Sequence, residues 1–500
     1  NNSRLLNTRV ENFPVDVLGT DNIGLGLNPA IPESARIERI LKSYYLRLNY
    51  NFNEKYYLSL TGRADGSSVF AENNKWGYFP SVGAGWTVSK ESFMDNIKLL
   101  SNLKLRASYG ITGSQAIQPL QSLTLLSVAN ATFEDILYSG IAPSRFGNPN
   151  LEWEKTSQYN IGLDIGLLKG RFFANIDYYK KTTDDLLLNF PLPNSAGLPF
   201  IVANAGSIEN KGFEVTVGGQ IVNGNKFKWK TNINWSNNRT KVLSLGDTNS
   251  DIFGPAPATN IVDQPSNVMR VGEPFAALYG YRVIGVLQES DFDTNGFPLV
   301  PIIGANQRPG QYKFADLDED GLISASDQTI IGDPNPDFIF GWNNEFRYKR
   351  LTLSAFIQGS IGNELMNIDR LFFGSGRFAN NVYTNWFNNR WTPNNPTNNI
   401  RYADNSNEQA VLQPSSAIAE DGSYIRLKNV QLSYNVNTKK IKPLVGMTIY
   451  FTATNLFTIT NYSGPDPEVN IRGGNNLSQG IDFASYPRAK TFTVGARFAF

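Results

Sequence analysis

From Tyr44 onward the chain alternates apolar and polar residues, stretch after stretch. Tyr44, Leu46, Leu48, Tyr50 and Phe52 stand against Arg47, Asn49 and Asn51, and after Asn53-Glu54 come Tyr56, Leu58 and Leu60. A period of two places the two sets on opposite faces of a sheet, so this pair reads as a hairpin. A third strand is predicted over residues 76–89, and a fourth carries Leu103, Leu105, Ala107 and Tyr109 against Lys104, Arg106 and Ser108. Residues 159–167, a Lys169-Gly170 turn and residues 172–178 give the next hairpin. Phe213, Val215 and Val217 then lead through Asn223-Gly224-Asn225 to Phe227, Trp229, Ile233 and Trp235, whose other face is Lys226, Lys228, Lys230, Asn232 and Asn234. Phe338, Phe340 and Trp342 lead to Lys349-Arg350, and Leu351, Leu353, Ala355 and Ile357 lead back. Beyond Ser423, Ile425 and Leu427 are followed by Val430, Leu432 and Tyr434, a slip of phase at Asn429 that a β-bulge would produce. Met447, Ile449, Phe451 and Ala453 form the penultimate strand, and Phe492, Val494, Ala496, Phe498 and Phe500 form one oily face of the last.

Short turns alternate with long segments near residues 113–153, 187–209, 244–337, 362–423 and 459–488. Outer-membrane barrels are built this way, with short periplasmic turns, long extracellular loops, and strands whose lipid-facing and lumen-facing residues alternate. The pattern predicts eight crossings up to Leu243 and five from Phe338 onward, thirteen in all. Residues 279–287 lie between two long loops, so a single crossing there would put one loop on the wrong side; they are assigned to an extracellular excursion. The expected fold is therefore an all-β, transmembrane antiparallel β-barrel over 41–500, preceded by a segment 1–40. Bacterial single-chain barrels need an even strand number, so N-terminal strands are expected to be missing from this sequence. A string of soluble β domains would also alternate. Against it stand the lack of any linker-like break and the aromatic residues near strand ends, such as Trp76, Tyr78, Phe79 and Trp86, which suit membrane interfaces.

Composition removes several function classes. Lys plus Arg number 45 against 44 acids, a net charge of +1, which gives no footprint for nucleic acid. The chain has no Cys and no His, which removes disulfides, thiolate metal sites and His-based triads and takes away the commonest zinc ligands. No apolar run approaches the length of a membrane helix, while a barrel keeps mean hydropathy low. Glycosidases need a carboxylate pair in a cleft; Glu152 and Glu154 flank Trp153 but sit at a strand start, and nothing marks a catalytic residue.

One loop carries chemistry. Asp316, Asp318, Asp320 and Asp327 occupy positions 1, 3, 5 and 12 of a twelve-residue run with Gly321 at position 6 and Leu322 at 7. This is the EF-hand spacing, with Asp in place of Glu at the last position. A hard cation wants six to eight oxygens, Gly permits the sharp turn, and Leu322 would supply its carbonyl. Calcium ordering this loop is the expectation, as a staple rather than a sensor because helical patterns do not flank it.

Longer motifs carry a family resemblance. Residues 63–68 (Arg-Ala-Asp-Gly-Ser-Ser), 77–81 (Gly-Tyr-Phe-Pro-Ser), 102–110 (Asn-Leu-Lys-Leu-Arg-Ala-Ser-Tyr-Gly), 148–154 (Asn-Pro-Asn-Leu-Glu-Trp-Glu), 210–214 (Asn-Lys-Gly-Phe-Glu) and 424–430 (Tyr-Ile-Arg-Leu-Lys-Asn-Val), with the acidic loop, resemble SusC/RagA-type TonB-dependent transporters of Bacteroidota. The resemblance covers nearly the whole chain, in order. It implies an outer-membrane barrel of about 22 strands, an N-terminal plug carrying the TonB contact, and a SusD-like surface lipoprotein as lid. Plug and early strands are absent here, so the chain is similar to the C-terminal part only, and coupling to TonB-ExbB-ExbD would run through the missing part. The implied function is uptake of a large nutrient, an oligosaccharide or oligopeptide, with no enzyme activity and with membrane lipid around the wall. Two other readings stand beside it: a SusC-like barrel serving as an assembly subunit of a larger envelope complex, and a soluble glycan-binding β protein. Polar sets such as Lys104 and Arg106, or Lys226, Lys228 and Lys230, are expected to face the lumen. The final strand, with Phe492, Val494, Phe498 and Phe500, resembles the signal read by the barrel-assembly machinery.

Overall fold

The computed structural model describes residues 2–500 apart from 14–21, 25, 31, 258–261, 263, 305–306, 375, 377–380, 403–411, 439–442 and 472–474. Thirteen strands form one antiparallel sheet, each hydrogen-bonded to its neighbours in chain order. They are β1 (Leu41–Phe52), β2 (Tyr56–Ser67), β3 (Trp76–Thr87), β4 (Leu100–Ser114), β5 (Glu154–Leu167), β6 (Phe172–Asp184) and β7 (Ser207–Asn223). The series continues with β8 (Phe227–Ser244), β9 (Phe338–Tyr348), β10 (Leu351–Ile361), β11 (Tyr424–Val436), β12 (Gly446–Thr460) and β13 (Thr491–Ala499). The count and order match the alternating pattern. The slip at Asn429 is a real irregularity, where the β11–β12 register shifts between Leu427 and Asn429.

Register shows why the alternation matters. Val217, Ile233, Trp342, Ile357 and Leu427 follow one another across β7 to β11, and Leu353, Leu432, Phe451 and Val494 do so across β10 to β13. Partners across a ladder share a face, so the apolar sets merge into one band. Its members are exposed rather than packed, among them Leu48, Ile161, Val217, Ile233 and Phe451. Large aliphatic and aromatic side chains left bare over so wide an area are stable only against lipid. Two polar residues on this face are individually satisfied. Trp342 Nε1 donates to Thr231 Oγ1 at 2.8 Å and Trp229 Nε1 donates to Asn344 Oδ1 at 3.1 Å. That satisfaction is what a medium without water demands.

The two ends of the sheet differ. At one end the hairpins β1–β2, β5–β6, β7–β8 and β9–β10 close tightly, with Asn53 and Glu54 at φ 51° and 53° and Leu168 and Lys169 at φ 52° and 58°. Positive φ at two consecutive turn residues matches the right-handed twist of the strands it joins. The β3–β4 link at the same end is held by Glu91, which accepts from Tyr56 Oη at 2.6 Å, Trp86 Nε1 at 3.0 Å and Lys55 Nζ at 3.1 Å. Those three donors pull its carboxyl down to about 2.

The other end carries the long connections, and here the sequence pattern missed structure. Leu125–Phe133 and Ile136–Arg145 pair into a hairpin, turning at Glu134 and Asp135, inside the segment read as polar loop. The segment before β1 also pairs, Asn2–Asn7 with Glu33–Glu38. Residues 279–287 lie outside the large sheet: Ala277–Tyr281 joins a four-stranded sheet with Ile252–Phe253, Asn267–Met269 and Gln328–Gly332. The buried apolar clusters collect in this layer, one around Phe70, Leu151 and Trp153 and another around Leu278, Met366, Ile368 and Ile481. Among the described residues no helix is long and apolar enough to cross a membrane, which bears on helices alone.

Candidate functional site

The face opposite the apolar band is polar and ionic. Arg106 on β4 reaches across two strands: its Nε and Nη2 meet both oxygens of Asp164 on β5 at 2.9 Å, and Nη2 also meets Asp177 on β6 at 2.9 Å. Gly162 lies beneath the guanidinium. A Cβ there would stand 2.6 Å from Arg106 Cζ and 2.5 Å from Asp177 Oδ1, so only Gly lets the group lie flat across β5. All three side chains stay partly open to solvent. Further along, Lys230, Asn232, Asn343, Glu345, Phe356 and Asn429 line a recess of about 580 Å³ on the same face. Lys104 and Lys230 therefore lie where the alternation puts them, Lys104 Nζ resting 4.1 Å over the Tyr57 ring. Lys226 instead falls in the tight turn before β8, where its carbonyl accepts from Lys349 N at 2.9 Å.

A second ionic group fastens the last long connection to this wall. Arg426 on β11 is buried and donates to Asp466 at 2.6 Å, Glu468 at 2.8 Å and Thr458 at 2.8 Å. Lys428 and Arg488 add contacts to Glu468 at 3.1 Å each. Burial opposes ionisation of Asp466, but the Arg426 guanidinium overrides it and holds the carboxyl below its usual range. Sequence reasoning missed this group because its members come from separate stretches, Arg426 with Lys428, Thr458, Asp466 with Glu468, and Arg488, that no local pattern links.

The acidic loop brings three of its four spaced aspartates together. Carboxylate oxygens of Asp316, Asp318 and Asp320 lie within 4.8 Å of one another. Backbone N–H groups shape the turn, Gly321 N donating to Asp316 Oδ2 at 3.0 Å and Leu322 N to Asp320 Oδ1 at 2.8 Å. Asp316 Oδ1 is buried and has no donor among the described residues, and partial desolvation with the neighbouring carboxylates holds Asp318 above its usual range. Both features fit a hard cation bound by oxygens. Asp327 is not in that trio. It is fully buried and clasps the loop, accepting from Leu317 N at 2.6 Å and Ser324 N at 2.7 Å.

Phe492, Val494 and Phe498 on β13, and Phe500 just beyond it, are all exposed. Phe492 to Phe498 continue the apolar band through Ala453, Phe451 and Met447 of β12. Among the described residues β13 pairs on one side only, as does β1.

A wall that is oily outside and charged inside is matched by known proteins. The family model "TonB dependent receptor-like, beta-barrel" matches residues 9–456. The chain belongs to the TonB-dependent receptor family. It is 37% identical over 477 residues to TonB-dependent receptor P3 of Formosa agariphila, covering 94% of this chain and 46% of that one. To TonB-dependent receptor SusC of Bacteroides thetaiotaomicron it is 32% identical over 482 residues, 92% of this chain and 44% of that one. The solved structure of the RagAB peptide transporter superposes with a TM-score of 0.77 at 26% identity, over 94% of this chain and 49% of the other. The chain thus spans about half the length of the curated relatives it matches. As a member of the TonB-dependent receptor family it is an outer-membrane β-barrel protein, with its tight turns at the periplasmic end and its long connections outside.

Proposed function

We propose that the protein imports a large nutrient, an oligosaccharide or oligopeptide, across the outer membrane. The single observation that carries this reading is the two-faced wall: an exposed apolar band on one side, and the Arg106, Asp164 and Asp177 network with the Lys230 recess on the other. A wet, charged lumen suits a hydrated solute. Energy comes from TonB-ExbB-ExbD through a part of the protein outside this sequence, and a SusD-like surface lipoprotein closes the top. The family and the RagAB likeness support both partners. The apolar face of β13 is the surface offered to the barrel-assembly machinery. Tagged full-length protein is expected to copurify with a surface lipoprotein, and a deletion strain to lose growth on a defined glycan or peptide mixture. Unchanged growth on every such mixture, with envelope-assembly proteins copurifying instead, would overturn transport in favour of an assembly subunit.

Calcium in the 316–327 loop belongs to the same reading. Asp316, Asp318 and Asp320 supply carboxylates and Leu322 its carbonyl, while Asp327 keeps the loop closed. With a dissociation constant of about 10⁻⁴ M and calcium at about 1 mM, the ion would stabilise the bound state by about 1.4 kcal/mol. Chelation is expected to lower the melting temperature and expose residues 316–327 to protease, and Asp318→Asn to abolish the difference in proteolysis at this loop. Identical proteolysis with calcium and with chelator would remove the ion from this loop.

A further inference from the structure

The outer layer contains a second place where buried oxygens lack hydrogen-bond donors. Glu364–Asn367 and Ile481–Asp482 pair in parallel, setting Asn367 beside Asp482. They come from different long connections, and both residues are fully buried, at 0% exposure. Asn367 Oδ1 and Asp482 Oδ1 each lack a donor among the described residues.

Neighbouring donors are already used. The Asn367 amide nitrogen donates to Glu420 Oε1 at 3.1 Å and Ser463 Oγ at 3.2 Å. Turning the amide over would set its oxygen against the Glu420 carboxylate, so the orientation is fixed by charge. Tyr462 Oη donates to Asp482 Oδ2 at 2.6 Å, which leaves Oδ1 bare. Backbone N–H groups are committed too, Asn367 N to Ile418 O at 2.8 Å and Ile368 N to Asp482 O at 2.9 Å.

Charge points the same way. Three carboxylates gather here: Asp482, Glu420 beside Asn367, and Asp369, whose Oδ1 accepts from Ala484 N at 3.0 Å. Arg370 pairs with Glu420 at 3.2 Å, while among the described residues no ion pair reaches Asp482 or Asp369. Two carboxylates without a cationic partner among the described residues leave a deficit that one divalent ion would cancel. A buried water could donate to both orphan oxygens, but it would leave the charge standing, and an uncompensated buried charge costs several kcal/mol.

We propose that Asn367 Oδ1 and Asp482 Oδ1 are two ligands of a buried divalent cation that ties the two long connections together. The all-oxygen donor set selects a hard ion of the calcium type over a transition metal. The site is separate from the 316–327 loop and independent of it.

The test uses full-length protein in which Asp316→Asn, Asp318→Asn and Asp320→Asn have disabled the loop. After chelation and dialysis against calcium alone, metal analysis is expected to find one calcium per chain, with a melting temperature a few degrees above the chelated form. Adding Asp482→Asn is expected to remove both the ion and the shift. No calcium on the loop-disabled protein, meaning a buried water only, overturns the proposal, as does calcium retained by Asp482→Asn. Should Asp482→Asn fail to assemble, crystals of the loop-disabled protein in calcium place the ion by anomalous scattering: a peak between Asn367 and Asp482 supports the site, and its absence overturns it. If the loop reading alone fails, the wild type and the loop-disabled protein bind the same amount, so the two failures are distinguishable.

Discussion

Replacing Arg426 with Met is expected to detach the β12–β13 connection from the wall and destabilise the protein by about 3–5 kcal/mol, the range for removing one partner of a buried ion pair. The guanidinium is 2% exposed and serves Asp466, Glu468 and Thr458 at once. Glu468 would keep Lys428 and Arg488. Asp466 would be left buried with no cation, and that orphan accounts for most of the loss. Limited proteolysis should show early cleavage within 461–490, and the melting temperature should fall. Arg426→Lys is expected to recover little, because an ammonium cannot reproduce the planar fork. Combining Arg426→Met with Asp466→Leu should restore part of the stability, since the isolated charge is gone. A single mutant as stable as wild type would show that the network is ornamental.

The other large effect concerns which face meets lipid. Val494 and Thr493 are neighbours on β13, one facing Phe451 across the ladder and the other Thr452. Val494→Arg places a charge in the apolar band at an expected cost of about 2–4 kcal/mol, while Thr493→Arg faces the wet side and should cost little. Heat-modifiable mobility on gels and surface labelling of intact cells would read assembled barrel in each case. Equal levels for the two variants would contradict the assignment of faces. On the proposed role of β13 in assembly, a slower appearance of folded barrel is expected beside the lower final amount.

The wall was almost wholly legible before any coordinates. Tyr44 to Phe52, Leu351 to Ile357 and Met447 to Ala453 repeat every second residue, and a period that short survives without knowledge of the partner strand. Even the bulge at Asn429 showed as a slip of phase. The outer layer was illegible for the opposite reason. The strands of its buried sheets are two to five residues long, too short to display a period, and Met366 finds Ile481 far along the chain. Asp135 was the available sign of the 125–145 hairpin, since Asp tolerates positive φ in a turn. At the acidic loop, spacing located the trio but not the separate task of Asp327, which depends on where two backbone N–H groups point.

The buried apolar clusters all sit in the outer layer or at the strand ends beneath it, while the band around the wall stays uncovered. The molecule is thus held by two different solvents, and it should respond to them separately. Exchanging one detergent for another acts on the wall, whereas urea at fixed detergent attacks the outer layer first. Unfolding in urea should therefore show the tryptophans Trp153, Trp386 and Trp391 loosening before Trp229 and Trp342, two transitions from a single polypeptide.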